Sequence, residues 1–527
     1  MLPTLLYLPV VLTTLLLFAA QQHVAAVEYE ATSWPSLLFR FKVKRSSMDI
    51  YGQTDFTVYA NPNVSTDESS VLYDVFATFK EGPTIYNYTR VNGVAYLRSM
   101  EENLASTKCL HSEMNDFPPI NAIISAVNDA KPVASVSDSI KCESGSFYKV
   151  SVDASDFVLC ASGRNSSFQL YGRDMDIIVD YLQDHVDIIS PKTDNSCEAG
   201  VSSSSVTASG KSILTGVPLP SEATRKLEEE FSLFGDDDDS DDDNSCSCKS
   251  TPRPCIFIHG LGVKDEVPDL QKSLPYWGDT ITSHAPCCTS IQFAHLNTVN
   301  YTWLNSTQQN QVCDHALEVS NSSTKLVIKD TIVVTHSMGS LMLASAIARG
   351  RCKLDSSSTW VSTAAPMIGS MAADYAQEVC AGDTNLIAEK LAEFKDQCPV
   401  NRATKSLAYL SGKYSTGRLI SAYKAAQEVY RTTVSAVMCS ESFSGILSSY
   451  QASFWILGEM IPHKSKKNDG TVEYHSCTMG LDQSKFGDTY KSRFYRTKLN
   501  HYDMQFRAGD AFWNKAKMPV KWFECLL

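Results

Sequence analysis

After residue 20 the sequence has no apolar run long enough to span a bilayer, and no hydrophobic tail of the kind removed before lipid anchoring. It has no basic stripe, so nucleic acid is not expected as a partner. Cys246, Cys248 and Cys255 lie close together, but no Cys or His pair follows at zinc spacing, and no metal is expected. The Gly-rich stretch at 260–262 is not followed by Gly-Lys-Ser/Thr, which excludes a phosphate loop. The acidic run at 236–243 lacks the spaced ligands and glycine of an EF-hand, so it reads as a solvated spacer. That run supplies seven of the charges behind a net charge of −13.

What is present is ordinary globular composition, 43% hydrophobic and 20% charged, in 527 residues, enough for two domains. The first twenty residues are apolar and lack a basic n-region, and Val24-Ala25-Ala26 offers small residues for cleavage after Ala26. Residues 1–26 are therefore expected to be a signal peptide, an uncleaved anchor being the alternative. Sequons at Asn63, Asn87, Asn165, Asn300, Asn305 and Asn321 and an even count of sixteen cysteines fit a secreted, glycosylated, disulfide-bonded protein.

Residues 27–198 read as an antiparallel β-rich domain. Phe39, Phe41 and Val43 alternate with Arg40, Lys42 and Lys44, and Val71, Tyr73, Val75, Ala77 and Phe79 repeat that period of two. Asn92-Gly93 accepts positive φ at both turn positions, so a tight hairpin is expected there. Further strands are expected at 147–152, 157–161, 168–171 and 177–182. In outline these strands resemble the half-barrels of ependymin-like and lipoprotein-carrier proteins. A curved sheet could hold lipid; a structural or protein-contact domain is the simpler expectation. Residues 199–252, with Ser202–205 and the acidic run, read as a linker carrying a short helix at 220–234.

From residue 253 the pattern becomes alternating buried strands and helices, the mark of a parallel sheet covered on both faces. Thr335-His336-Ser337-Met338-Gly339 stands between an apolar strand at 331–334 and helical spacing at 341–347. The chain must turn sharply there while presenting a hydroxyl, and the helix that follows aims free N–H groups at a developing oxyanion. This resembles the nucleophile elbow of the α/β-hydrolase superfamily, especially its lipases, with Thr335 where the superfamily usually has glycine. His259-Gly260-Leu261-Gly262 after the strand at 256–258 is similar to the lipase oxyanion loop. Asn468-Asp469-Gly470-Thr471-Val472 resembles a lipase acid loop, and Asn500-His501-Tyr502-Asp503-Met504 a lipase histidine loop.

The resemblance covers residues 253–512. It implies a mostly parallel, doubly wound α/β-hydrolase sheet with Ser337 as nucleophile, His501 as base and Asp469 as the orienting acid. The amides of Leu261 and Met338 would form the oxyanion hole. Asp503 is the rival acid. His463 and His475 are expected on the surface or in loops, and His336 is expected to point away from the nucleophile. Tyr276-Trp277 is read as pocket wall or packing. Residues 366–462 are expected to form a lid or cap, with helices at 421–430 and 436–446. No cofactor is required.

The implied activity is hydrolysis of lipid carboxylic esters through an acyl-enzyme, with lipid or another ester as substrate and contact with a membrane or lipid aggregate as a further expectation. A thioesterase, an acyltransferase or a deacylase of glycosylphosphatidylinositol would use the same residues. A lipid-binding or adhesive protein on a hydrolase scaffold is the reading from another class.

Overall fold

The computed structural model describes residues 34–101, 104–110, 117–136, 140–143, 145–153, 155–161, 167–193, 197–218, 246–382 and 398–527. The signal-peptide segment, the expected helix at 220–234 and the acidic run fall outside them.

The alternation read from residues 37–43 puts Leu37, Phe39, Phe41 and Val43 on a buried face and Arg40 and Lys42 in solvent. That strand, Leu37–Val43, lies near the middle of a twelve-stranded antiparallel sheet. On one side the order runs through Asp55–Val64, Ser70–Glu81, Thr84–Val91 and Val94–Glu101 to Leu104–Leu110. On the other it runs through Met175–Tyr181, Ser167–Gly172, Ser155–Ala161 and Ser146–Val152 to Lys131–Pro132. Asn92 and Gly93 take φ of 51° and 80° and close the expected hairpin.

Part of the expected linker belongs to this layer. Ser204–Ser205 adds a twelfth strand beside Val71 and Ser70. Thr207 then caps the helix Ala208–Thr215, accepting a bond from the Gly210 amide, and that helix buries Ile213 and Leu214. Helix Ile120–Asn128 packs beside it, and its Asn121 side chain bonds both the amide and the carbonyl of Tyr73 (2.8 and 3.0 Å).

The second sheet is mixed. Its eight strands run Val267–Gln271, Cys288–His295, Arg253–Ile258, Ile332–His336, Thr359–Thr363, Ala436–Ser440, Phe494–Thr497, Phe486–Gly487. Every pairing is parallel except that of Val267–Gln271 with Cys288–His295. Because successive side chains point to opposite faces, Ile256, Ile258 and Val333 join one core and Cys255, Phe257 and Val334 another. The first face is covered by helices Ser306–Glu318, Met338–Ala348 and Gly417–Thr433. The other face is covered by less helix than expected, because the antiparallel layer packs there. There Trp277, Phe506 and the helix Pro519–Cys525 form the cover, in a core continuous with that of the antiparallel sheet. Phe56 meets Phe512 and Phe157 meets Trp513 across this junction, with ring centroids 6.0 and 6.1 Å apart.

Two expectations for 366–462 are corrected. Residues 436–440 form a fully buried core strand, not helix, because Ala436-Val437-Met438-Cys439 is an apolar run sandwiched on both faces. With that strand and the long helix Gly417–Thr433 inside it, the segment is no separate insertion. All sixteen cysteines are paired. Cys109–Cys197 and Cys142–Cys160 lie before residue 219; the other six pairs lie after residue 245, Cys246–Cys525 closing nearly all of that part.

Candidate active site

Ser337 sits between the end of strand Ile332–His336 and the start of helix Met338–Ala348. Its φ of 52° and ψ of −128° are unusual for a residue with a side chain, and local strain of this kind tends to mark functional positions. The amide of Ser337 donates to the Thr363 carbonyl on the next strand (2.9 Å), which pins the turn. The turn is crowded: a Cβ on Gly260 would lie 2.6 Å from the Ser337 Cβ, and one on Gly339 would lie 2.5 Å from the Ile258 carbonyl oxygen. These glycines let the elbow and the 259–262 loop touch. Thr335, the departure from the usual elbow, turns its hydroxyl into the sheet, within 2.8 Å of both Ser340 Oγ and Trp360 Nε1.

His501 lies on the loop after strand Phe494–Thr497. Its Nε2 is 3.0 Å from Ser337 Oγ, and its Nδ1 is 2.7 Å from Asp469 Oδ2. The other Asp469 oxygen accepts from the Thr471 and Val472 amides (2.9 and 2.7 Å) and the Thr471 hydroxyl (3.1 Å). Gly470, at φ +95°, permits that turn. The rival, Asp503, faces elsewhere, with Oδ2 accepting from the amides of Ile446 (2.8 Å) and Asn500 (3.2 Å).

Met338 is the first residue of the helix and Leu261 lines the cleft beside Ser337. Among the described residues neither amide has a hydrogen-bond acceptor. The loop that carries Leu261 is held by His259, whose Nε2 accepts from the Leu296 amide (3.0 Å) and whose Nδ1 therefore donates to the Gly260 carbonyl (2.8 Å). Burial drives the pKa of His259 down to about 4, so the ring stays neutral in this role.

Tyr276, left in the sequence between pocket wall and packing, carries a polar function. The Gly260 amide donates to the Tyr276 hydroxyl (3.0 Å), and that hydroxyl donates to His336 Nδ1, 2.6 Å away. His336 Nε2–H is then left to donate to the His501 carbonyl (3.0 Å). Burial first, and the neighbouring His501 second, hold the pKa of His336 well below its ordinary value, consistent with a neutral ring. His336 thus turns away from the Ser337 hydroxyl, as expected, but it ties the 259–262 loop to the loop that carries His501.

Of the remaining histidines, His463 lies in a loop, as one of the two expected placements had it, while His475 lies half-buried in the short helix Tyr474–Cys477. In that loop the His463 side chain is buried, 4% exposed, and its Nδ1 lies 2.8 Å from Glu473 Oε1, which is fully buried. His475 Nε2 contacts the Tyr409 hydroxyl at 2.6 Å. Neither reaches Ser337.

The cleft over Ser337 has a volume of about 320 Å³. Ala372, Ala373, Ala376, Leu407, Leu457, Ile461 and Val472 make much of its wall, and Ser370, Asn401, Thr404 and Gln505 supply polar edges. Among the described residues no three His, Cys, Asp or Glu side chains cluster as a metal site would require.

No family model and no curated protein matches the chain. Among solved structures, a lipase of Staphylococcus hyicus aligns with 52% of this chain and 95% of its own, at 10% identity and a TM-score of 0.29. The haloalkane dehalogenase DatA of Agrobacterium tumefaciens aligns with 43% of this chain and 84% of its own, at 9% identity and a TM-score of 0.21. A puromycin-hydrolyzing peptidase of Mycobacterium tuberculosis aligns with 75% of this chain and 61% of its own, at 9% identity and a TM-score of 0.20.

Proposed function

We propose that the chain is a secreted serine hydrolase of the α/β-hydrolase, lipase-like type that cleaves carboxylic esters of lipids. One observation carries the reading: the unbroken contact from Ser337 Oγ through His501 to Asp469, at 3.0 and 2.7 Å. In this mechanism Ser337 Oγ attacks the ester carbonyl carbon while its proton passes to His501 Nε2. The Leu261 and Met338 amides receive the negative charge that develops on the carbonyl oxygen. The C–O bond to the alcohol breaks as His501 returns the proton to the leaving oxygen. Water, deprotonated by His501, then attacks the acyl-serine and frees the acid. Asp469 keeps Nδ1 protonated and steadies the imidazolium.

The apolar wall of the cleft favours an acyl chain, and its size suits a single one. The disulfides favour an oxidising compartment and so support export. The antiparallel layer of residues 27–198 is read as a structural partner of the hydrolase part, since they share a core.

The test is labelling with a fluorophosphonate, together with turnover of p-nitrophenyl esters, thioesters and phospholipids. Ser337 should carry the label and Ser337→Ala should abolish both labelling and turnover. Labelling of the alanine variant at the wild-type rate would remove Ser337 as nucleophile.

A further inference from the structure

Behind Tyr502, a residue of the cleft wall, stands a guanidinium with no anion among the described residues. Arg507 donates one bond to the Tyr450 hydroxyl (2.8 Å) and stacks over the rings of Tyr450 and Tyr502, 4.9 and 5.8 Å from their centroids. These are its only partners among the described residues, and no described carboxylate pairs with it. The side chain is half-buried, and a guanidinium has five N–H donors in a fixed fork, so most of them stay open. The ring of Tyr502 is itself a wall of the cleft and is partly exposed at its mouth. Burial raises the pKa of the Tyr276 phenol, which also lines the cleft; the Gly260 amide opposes this most, and the Arg507 charge adds a smaller lowering.

Two chemistries therefore adjoin across the Tyr502 ring. An apolar wall of small and aliphatic side chains suits one acyl chain, while the tyrosine-backed fork of Arg507 suits a planar or tetrahedral oxyanion. We infer that Arg507 recognises an anionic head group on the alcohol side of the scissile ester, so that the substrate is a single-chain acidic acyl ester such as an acylglycerol phosphate. This rests on the hydrolase reading above and adds the charge of the substrate to it. A fork that meets a phosphate or carboxylate makes a charge-assisted contact whose loss weakens recognition by about tenfold to a hundredfold. Stacking on two tyrosines pre-orients the fork and leaves its edge free, which a stabilising ion pair would not.

The experiment compares monooctanoylglycerol with monooctanoylglycerol phosphate, reading kcat/KM for octanoate release by the full chain. The wild type should favour the phosphate at least tenfold. Arg507→Gln should remove that preference with little change for the neutral ester, and Arg507→Lys should keep part of it. Equal rates on both esters in the wild type, or an equal loss on both in Arg507→Gln, would overturn the inference. Binding of octyl phosphate and octanol, followed calorimetrically, separates this from the chemistry. If neither ester turns over and Ser337 takes no fluorophosphonate, the hydrolase reading fails, yet octyl phosphate should still bind more tightly than octanol through Arg507. Inorganic phosphate that competes as well as octyl phosphate would mark a free-anion site and overturn the acyl-ester proposal.

Discussion

His501 and Asp469 are joined twice: the ring Nδ1 lies 2.7 Å from the Asp469 carboxylate, and the His501 amide donates to the Asp469 carbonyl at 2.9 Å. The backbone bond fixes the two loops, so the side-chain contact survives a change of side chain. Asp469→Asn should therefore keep the fold and lower kcat by roughly 10³- to 10⁴-fold, as loss of the orienting acid does in serine proteases. Asp503→Asn should act on stability instead, because Oδ2 of this buried carboxylate accepts two backbone amides, costing about 1–3 kcal/mol in urea denaturation. The assignment is lost if Asp503→Asn is the variant with the larger drop in kcat.

Ser337 holds a φ of 52°, with its Cβ 2.6 Å from where a side chain on Gly260 would begin. Such strain costs on the order of 1–3 kcal/mol, while glycine loses roughly 0.5–1 kcal/mol relative to alanine through the unfolded chain. Relief of the strain therefore outweighs the entropy that glycine loses on folding. Ser337→Gly should be inactive and about 1 kcal/mol more stable than Ser337→Ala, neither having a hydroxyl. Chemical denaturation of the pair decides it; a glycine variant less stable than the alanine one means the turn is unstrained.

Tyr276→Phe removes the group that accepts from Gly260 and donates to His336, leaving a buried donor and acceptor without partners. A loss of about 1–3 kcal/mol is expected, divided between stability and transition-state binding. Because the oxyanion loop and the histidine loop both relax, kcat should fall with KM little changed, while the fluorophosphonate still labels Ser337 more slowly. Unchanged kcat would reduce Tyr276 to packing.

The site was legible in the sequence where it is local. The elbow, the acid loop and the histidine loop each declare themselves within five residues, because the backbone turn and the functional side chain share one short stretch. The link from Gly260 through Tyr276 and His336 to His501 was not legible, since it joins positions 16, 60 and 165 residues apart and depends on where the side chains point. The loop position of His463 was legible from Lys464, Ser465, Lys466 and Lys467 beside it, but not the burial of its ring, because its partner Glu473 is ten residues on. Ser202–205 looks like linker by composition, although Thr207 as a helix cap with Ile213-Leu214 behind it is a usable signal. The alternation of the first layer was plain, but the shared core was not, because a strand pattern tells which face is buried and not against what.

His259 makes stability sensitive to acid. Its folded pKa is about 4, against about 6.5 unfolded. Between these values the unfolded chain binds a proton that the folded ring refuses, so the contribution is full above about pH 6.5 and lost as pH falls toward 4. The slope of unfolding free energy against pH should therefore flatten in His259→Gln by about 1 kcal/mol per pH unit between about pH 6 and pH 4.5. An unaltered slope would mean that the ring is protonated in the fold.

Arg45, in the turn after strand Leu37–Val43, is the most buried ionic anchor between the antiparallel layer and the C-terminal part, beside the pair Lys521–Asp174 at 3.6 Å. Its side chain is 2% exposed and meets Glu524, with Asp510 at 3.6 Å. Glu524 also accepts from the Cys246 amide (2.9 Å), and Asp510 from the Ser47 hydroxyl (2.7 Å) and the Val520 amide (2.8 Å). Burial raises the pKa of Asp510, and Arg45 is the largest influence opposing it. Removing the cation leaves Asp510 buried without it and Glu524 with the His284 ring, whose Nδ1 is 3.1 Å away, a loss of about 3–5 kcal/mol. No disulfide crosses this junction, so nothing covalent near it compensates. Arg45→Met should therefore lower stability by that amount and split thermal unfolding into two transitions, the first reported by near-UV signals of the aromatic pairs at Phe512 and Trp513. Arg45→Met combined with Glu524→Leu should recover part of the loss, because one stranded charge is then gone. A single variant within about 1 kcal/mol of wild type, melting in one transition, would show that the layers are joined without help from Arg45.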